Sequence, residues 1–111
     1  MKKIVCKFGG SSVADATQVE KVVSIVRRDG RRCFVVPSAP GKRSEDDTKI
    51  TDLLYLCHEL ARQNVDFSEP FNKISTRFLD LSKALGVSID MESLLAEVES
   101  GIANGAGRDY V

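Results

Sequence analysis

The chain opens on a short alternating run, "KIVCKF" at residues 3–8, that puts Ile4, Cys6 and Phe8 on one face and Val5 and Lys7 on the other. This period of two, carried by β-forming residues and ended at Gly9-Gly10, predicts a strand. The period then lengthens. Val19, Val22, Val23 and Val26 give the apolar stripe of a helix over about 13–28, with Ser11 or Ser12 as its cap and Asp29-Gly30 as its stop. "RCFVVP" at 32–37 predicts a second strand closed by Pro37. Strand, helix and strand in this order make a βαβ unit, whose strands run parallel through a right-handed crossover.

Residues 38–48, "SAPGKRSEDDT", carry no apolar periodicity and predict an exposed loop. From about 49 the spacing is helical again, through Ile50, Leu53, Leu54, Cys57, Leu60 and Ala61, with Asp47 or Thr48 placed to cap. A further helix starts near Ser68, with Pro70 in its first turn and Phe71, Ile74, Phe78, Leu81 and Leu85 along one face, and Gly86 ends it. A last helix from about Asp90 turns Leu94, Leu95, Val98 and Ile102 inward, and the tail "GIANGAGRDYV" reads as loop. Two parallel strands do not close a sheet, and parallel sheets carry helices on both faces. The pattern is that of the front end of a larger α/β domain, stopping before the remaining strands arrive.

Composition narrows the function classes. At 111 residues, 42% hydrophobic and 29% charged, the chain has the make-up of an ordinary folded domain. Sixteen basic residues balance sixteen acidic ones, so charge gives no argument for nucleic acid or an anionic membrane as partner. No apolar run approaches a membrane span, and Lys7 breaks the opening one before a signal-peptide core forms. A cytoplasmic protein is the expectation. Cys6, Cys33 and Cys57 form no CxxC pair and lie in apolar stretches, which predicts buried reduced thiols rather than disulfides or a metal site. The single histidine, His58, falls within a helical pattern and reads as structural or surface.

The known glycine-rich phosphate motifs are incomplete in this sequence. Gly41-Lys42 would be the end of a P-loop, but the required earlier glycine position holds Val36 and the following Ser/Thr position holds Arg43. Gly9-Gly10 lacks the third glycine of a dinucleotide fingerprint. Glycines 101, 105 and 107 follow no strand and read as loop glycines. "KFGGSS" at 7–12 leaves two readings. One is a glycine turn with a serine cap and a solvated lysine. The other is a phosphate cradle, in which the glycines admit an anion to the backbone, the helix start offers amides, and Lys7 and the serines add charge and hydroxyls. The carboxyl ends of the two strands share one sheet edge, so "SAPGKR" faces the same crevice as "FGGSS" and favours the cradle.

"KFGGSSVA" at 7–14, "VVPSAPGKR" at 35–43 and "TDLL" at 51–54 together resemble the amino-terminal part of the aspartate kinases, members of the amino acid kinase (carbamate kinase-like) superfamily. Glutamate 5-kinases and acetylglutamate kinases open with a similar lysine and glycines, but the Phe-Gly-Gly-Ser string and the downstream Thr-Asp-Leu-Leu are typical of aspartate kinases. The resemblance implies a three-layer α/β/α kinase domain. Residues 1–111 would be its amino-terminal part, with 1–48 as the βαβ phosphate-binding unit and its loop and 49–111 as a helical segment. It also implies transfer of the γ-phosphoryl group of ATP, as its Mg2+ complex, to the β-carboxylate of L-aspartate, the first step toward lysine, threonine and methionine.

On the same resemblance Lys7 would contact the ATP phosphates as the catalytic cation. Phe8, Gly9, Gly10 and Ser11 would line the nucleotide phosphates, Ser38 would stand in the opposing loop near substrate, and Thr51 would help hold aspartate. The loop between Ser38 and Thr51 is longer than in many members, so nothing carries over for residues 45–48. No resident metal site, nucleic acid or membrane is implied, and the parent is expected to be a homo-oligomer. The family's Ser-Arg-Gly-Glu segment and nucleotide-base pocket would follow Val111. The chain thus reads as an amino-terminal fragment, inactive alone and open to self-association through its strand edges. Two other readings stand beside this one: a glutamate or acetylglutamate kinase, and a non-catalytic module whose helices over 49–100 bind a partner.

Overall fold

The computed structural model describes residues 1–111, which divide into two compact units, Met1–Lys49 and Ile50–Val111. In the first, β1 (Ile4–Phe8) and β2 (Arg32–Pro37) pair in parallel, Cys6 opposite Val35, Lys7 opposite Val36 and Phe8 opposite Pro37. The alternation along β1 is the one the sequence carries: Ile4, Cys6 and Phe8 are half-buried, Val5 and Lys7 exposed. β2 is more open than its composition suggests, with Phe34 51%, Val35 42% and Val36 48% exposed. The three cysteines are free, as expected, but only Cys57 is buried; Cys33 is exposed and Cys6 half-buried. A β-strand buries only the face that another layer covers, and these exposures are those of residues 1–111 alone.

The crossover helix α1 (Ala16–Arg27) starts later than its stripe predicts. A single 3-10 turn, Gly10–Val13, comes between β1 and α1 and takes up both serines. Asp15 caps the helix in their place: its side chain accepts from the Gln18 amide at 2.9 Å. A carboxylate satisfies an orphan amide at least as well as a serine hydroxyl and also meets the positive end of the helix dipole. Val19, Val22 and Val26 are half-buried and Val23 is exposed at 39%. After α1, Asp29 holds the approach to β2 by accepting from the Arg31 guanidinium and amide, with a 2.6 Å ion pair. The Arg31 hydrogen bonds keep this carboxyl well below the ordinary range.

In the second unit α2 (Ile50–Arg62), α3 (Ser68–Leu85) and α4 (Met91–Ala103) pack pairwise. Their buried stripes are Ile50, Leu53 and Cys57; Phe71 and Ile74; and Leu95 and Ile102. Each fully buried isoleucine contributes about 1.5–3 kcal/mol over leaving it in water. Burial also pushes the Cys57 thiol up to about 11, which holds it protonated and unreactive. The spacing misplaces Leu94, which is 52% exposed, because the inward face of α4 runs through Leu95 and Ile102. It also passes over Arg77, which is buried in α3.

All three helices stop by one device. Asn64 (φ 58°), Gly86 (φ 67°) and Gly105 (φ 84°) adopt the left-handed conformation just past each helix. The amides of Val65, Val87 and Ala106 then reach back to the carbonyls of Leu60, Ser82 and Gly101. These are Schellman closures, and glycine or asparagine supplies the positive φ at least cost. Gly105 is therefore a helix stop rather than a loop glycine.

Gly101 is not a loop glycine either. It lies inside α4, and a Cβ there would stand 2.6 Å from the Tyr110 hydroxyl oxygen and 2.7 Å from Cζ. The missing side chain makes room for the ring of Tyr110, which folds the tail onto α4. Replacing Gly101 by alanine gains about 1 kcal/mol of helix propensity and displaces that ring. Net stability is expected to change little, while Tyr110 emission, isolated in a Tyr55→Phe background, shifts toward that of a solvated tyrosine. Unchanged emission would refute the packing role of Gly101.

Candidate functional site

The exit of β1 and the exit of β2 lie side by side, as the parallel pairing requires. Lys7 is the next-to-last residue of β1 and is exposed, with no side-chain hydrogen bond or ion pair in the chain. Phe8 follows, half-buried, and its carbonyl accepts from the Ser38 amide at 2.9 Å. Gly9 leads into the 3-10 turn, whose first internal bond runs from the Ser12 amide to the Gly9 carbonyl at 3.1 Å. The amides of Gly10 and Ser11 precede that bond and are the orphan donors of the turn.

The second loop is fastened to the first through its backbone. The Gly41 amide donates to the Gly10 carbonyl at 2.9 Å. A Cβ on Gly41 would lie 2.8 Å from the Gly10 carbonyl carbon and 3.1 Å from the Ser11 nitrogen. A Cβ on Gly10 would lie 3.2 Å from the Gly41 Cα. Two glycines facing each other allow the two backbones to touch, a demand that no side-chain-bearing pair meets. Gly41 is buried, although the surrounding loop reads as exposed from its composition.

Gly9 differs from its neighbour. Its φ of −74° and ψ of 174° suit any residue, and a Cβ added there meets no atom within 4 Å. Neither the backbone conformation nor packing within the chain requires glycine at this position. The space beside it is open, between Lys7 and the Gly10-Ser11 turn in sequence.

The basic residues of the second loop have separate surroundings. Arg43 is engaged by Asp47: the Arg43 amide and Nε donate to Oδ2 at 3.0 and 2.7 Å, and Nη2 donates to Oδ1 at 3.3 Å. The Asp47 amide donates to the Ser44 carbonyl at 3.2 Å, so residues 43–47 close into a turn of their own. Lys42 is exposed and no side-chain hydrogen bond or ion pair engages it.

The structure thus brings Lys7, Phe8, Gly9, Gly10, Ser11 and Ser38 together at one sheet edge. Thr51 stands exposed in the first turn of α2, in the other unit. The sequence placed Gly41 in the facing loop but gave no sign that its backbone packs against Gly10. The helix-start component of the cradle is also different from expectation. α1 is capped by Asp15 through the Gln18 amide, so the amides nearest the end of β1 are those of the 3-10 turn.

Residues 2–102 match the amino acid kinase family. Over 55 residues, half of this chain, the sequence is 56% identical to aspartokinase 3 of Bacillus subtilis (strain 168), 12% of whose length is spanned. Over 105 residues, 94% of this chain, it is 30% identical to the aspartokinase of Chlamydia muridarum (strain MoPn / Nigg), with 21% of that protein spanned. The fold matches the crystal structure of Clostridium acetobutylicum aspartate kinase, an allosteric enzyme, at a TM-score of 0.96 and 44% identity, covering 99% of this chain and 25% of that one. The chain therefore covers a quarter or less of the length of these relatives. The chain belongs to the amino acid kinase family, and the relatives it matches there are aspartate kinases.

Proposed function

We propose that residues 1–111 are the amino-terminal part of the catalytic domain of an aspartate kinase, which transfers the γ-phosphoryl group of ATP to the β-carboxylate of L-aspartate and yields 4-phospho-L-aspartate. The observation that carries this reading is Gly9. Nothing inside the chain requires a glycine there, and in sequence it lies between an exposed lysine and the first two amides of the 3-10 turn. A ligand that approaches the backbone closely and carries negative charge accounts for all three features, as a nucleotide polyphosphate does.

In this reading Lys7 neutralises charge on the phosphates, the Gly10 and Ser11 amides donate to them, and Gly9 keeps the approach clear. Phe8 anchors the strand end through its bond to Ser38. Ser38 borders the acceptor, and Thr51 holds the aspartate. Mg2+ arrives with ATP as part of the substrate. Phosphoryl transfer asks chiefly for positioning and charge neutralisation, and this set of groups supplies both. No helix is long and apolar enough to cross a membrane, and we place the enzyme in the cytoplasm as a homo-oligomer.

The test is ATP-dependent hydroxamate formation by the full-length protein with L-aspartate, L-glutamate or N-acetyl-L-glutamate as acceptor. Aspartate is expected to be the preferred acceptor by at least one order of magnitude in kcat/KM, because "TDLL" stands at 51–54. Preference for either glutamate compound would overturn the substrate assignment, and no turnover with any acceptor would favour a non-catalytic module. The isolated 111-residue polypeptide, which covers 25% of the solved relative, is expected to stay at background.

A further inference from the structure

We propose that Lys42 is a second cation for the nucleotide phosphates, and that the Arg43–Asp47 ion pair is the clasp that sets its position. The proposal rests on the nucleotide reading of the Lys7–Ser11 turn and extends it to the opposing loop.

The residue before Lys42 is fixed through its backbone. Gly41 touches Gly10 and Ser11 with its backbone, its amide bonds the Gly10 carbonyl, and its α-carbon has no room for a side chain. The Cα of Lys42, one residue on, is therefore held beside the same turn that presents the Gly10 and Ser11 amides. The residue after Lys42 is fixed as well, since the Arg43 amide and guanidinium both close on Asp47. Between these two anchors Lys42 is exposed and engaged by no other side chain.

Arg43 and Lys42 are thereby given different tasks. A guanidinium already held at two points by a carboxylate is a poor second-hand ligand for phosphate. The ammonium of Lys42, on a flexible four-carbon stem, is a mobile point charge suited to follow a phosphate chain as its charge is redistributed. Lys7 and Lys42 would then approach the polyphosphate from the two loops that Gly10 and Gly41 join. The clasp keeps Arg43 from competing for that place and keeps the loop from swinging Lys42 away.

The experiment compares wild type, Lys42→Met, Lys42→Arg and Asp47→Asn in the full-length protein, by steady-state kinetics and by direct titration with inorganic tripolyphosphate. Lys42→Met keeps the apolar stem and removes the charge. It is expected to raise KM for MgATP about tenfold, the order of one charge-assisted contact, to weaken tripolyphosphate binding by a similar factor, and to leave KM for L-aspartate unchanged. Lys42→Arg is expected to recover most of the loss. Asp47→Asn, which weakens the clasp without removing Lys42, is expected to raise KM for MgATP more than it changes kcat. Nucleotide and tripolyphosphate affinity unchanged in Lys42→Met would overturn the proposal, as would an equal loss for aspartate, which marks a merely structural role. Wild type that phosphorylates aspartate beside an unaffected Lys42→Met sinks this assignment alone. Wild type with no aspartate kinase activity but a Lys42-dependent tripolyphosphate affinity upholds it while the acceptor assignment fails.

Discussion

Lys7→Ala in the full-length protein is expected to lower kcat for aspartate phosphorylation by at least about 10²–10³-fold, the scale seen when one preorganised electrostatic contact to a developing charge is removed. The fold is expected to survive. Lys7 lies on the exposed face of β1 beside Val5, and no side-chain hydrogen bond or ion pair depends on it. Truncating it removes no buried apolar surface and leaves no buried group unpartnered, the two usual sources of a large loss in stability. The transferring phosphoryl group, by contrast, asks the protein for charge at a fixed point and little else. Lys7→Arg is expected to recover only part of the rate, because a planar fork does not replace a compact ammonium at the end of a strand. The measurements are kcat and KM for both substrates alongside a thermal melt of each variant. A variant that keeps its rate, or loses rate only in proportion to a lowered melting temperature, would remove Lys7 from the chemistry.

The part of this sheet edge that was legible in the sequence follows from rules that act locally or through one crossover. The alternation of Ile4, Cys6 and Phe8 with Val5 and Lys7 fixes which face of β1 is exposed, and the strand–helix–strand order makes β1 and β2 parallel. Parallel pairing alone then puts Gly9-Gly10 and Ser38 at one edge. The stripes of α2 and α3 were legible for the same reason, since Ile50, Leu53, Cys57, Phe71 and Ile74 repeat at helical spacing and are buried.

What was not legible depends on contacts between distant residues, or on a choice between equivalent local signals. Ser11, Ser12 and Asp15 are all good caps, and only the 3-10 turn, which consumes both serines, decides for Asp15. Gly41 looks like any loop glycine until the Gly10 backbone is placed against it. Gly101 and Tyr110 are nine positions apart in sequence and meet only because the chain turns back at Gly105. Cys33 and Leu94 are apolar residues in apolar runs, yet exposed. Hydrophobicity states what burial would gain, and residues 1–111, a quarter or less of the length of their relatives, hold only part of the layers that could provide it.

Gly41 and Gly9 give the second large effect, because the structure assigns them opposite reasons for being glycine. At Gly41 the reason is internal. Alanine there would put its Cβ 2.8 Å from the Gly10 carbonyl carbon, backbone against backbone, with no flexible side-chain end to yield. Relief requires the two loops to part, so Gly41→Ala is expected to cost about 1–3 kcal/mol in the manner of an overpacked core, and Gly41→Val more. Activity falls with it, since the Ser38 loop and the Gly10 turn no longer hold their register. Gly9→Ala is expected to do the reverse. Its φ of −74° already suits alanine and its Cβ enters open space, so stability should hold or rise by about 0.4–1 kcal/mol as the unfolded chain loses freedom. The added methyl would nonetheless occupy the approach to the backbone, and KM for MgATP should rise by about tenfold or more, roughly the 1.4 kcal/mol of one displaced contact. Chemical denaturation midpoints read the first quantity and nucleotide kinetics the second. A Gly9→Ala protein that binds MgATP normally would return "KFGGSS" to being a simple turn, whereas loss of nucleotide affinity in a protein no less stable than wild type requires a ligand that comes up against Gly9.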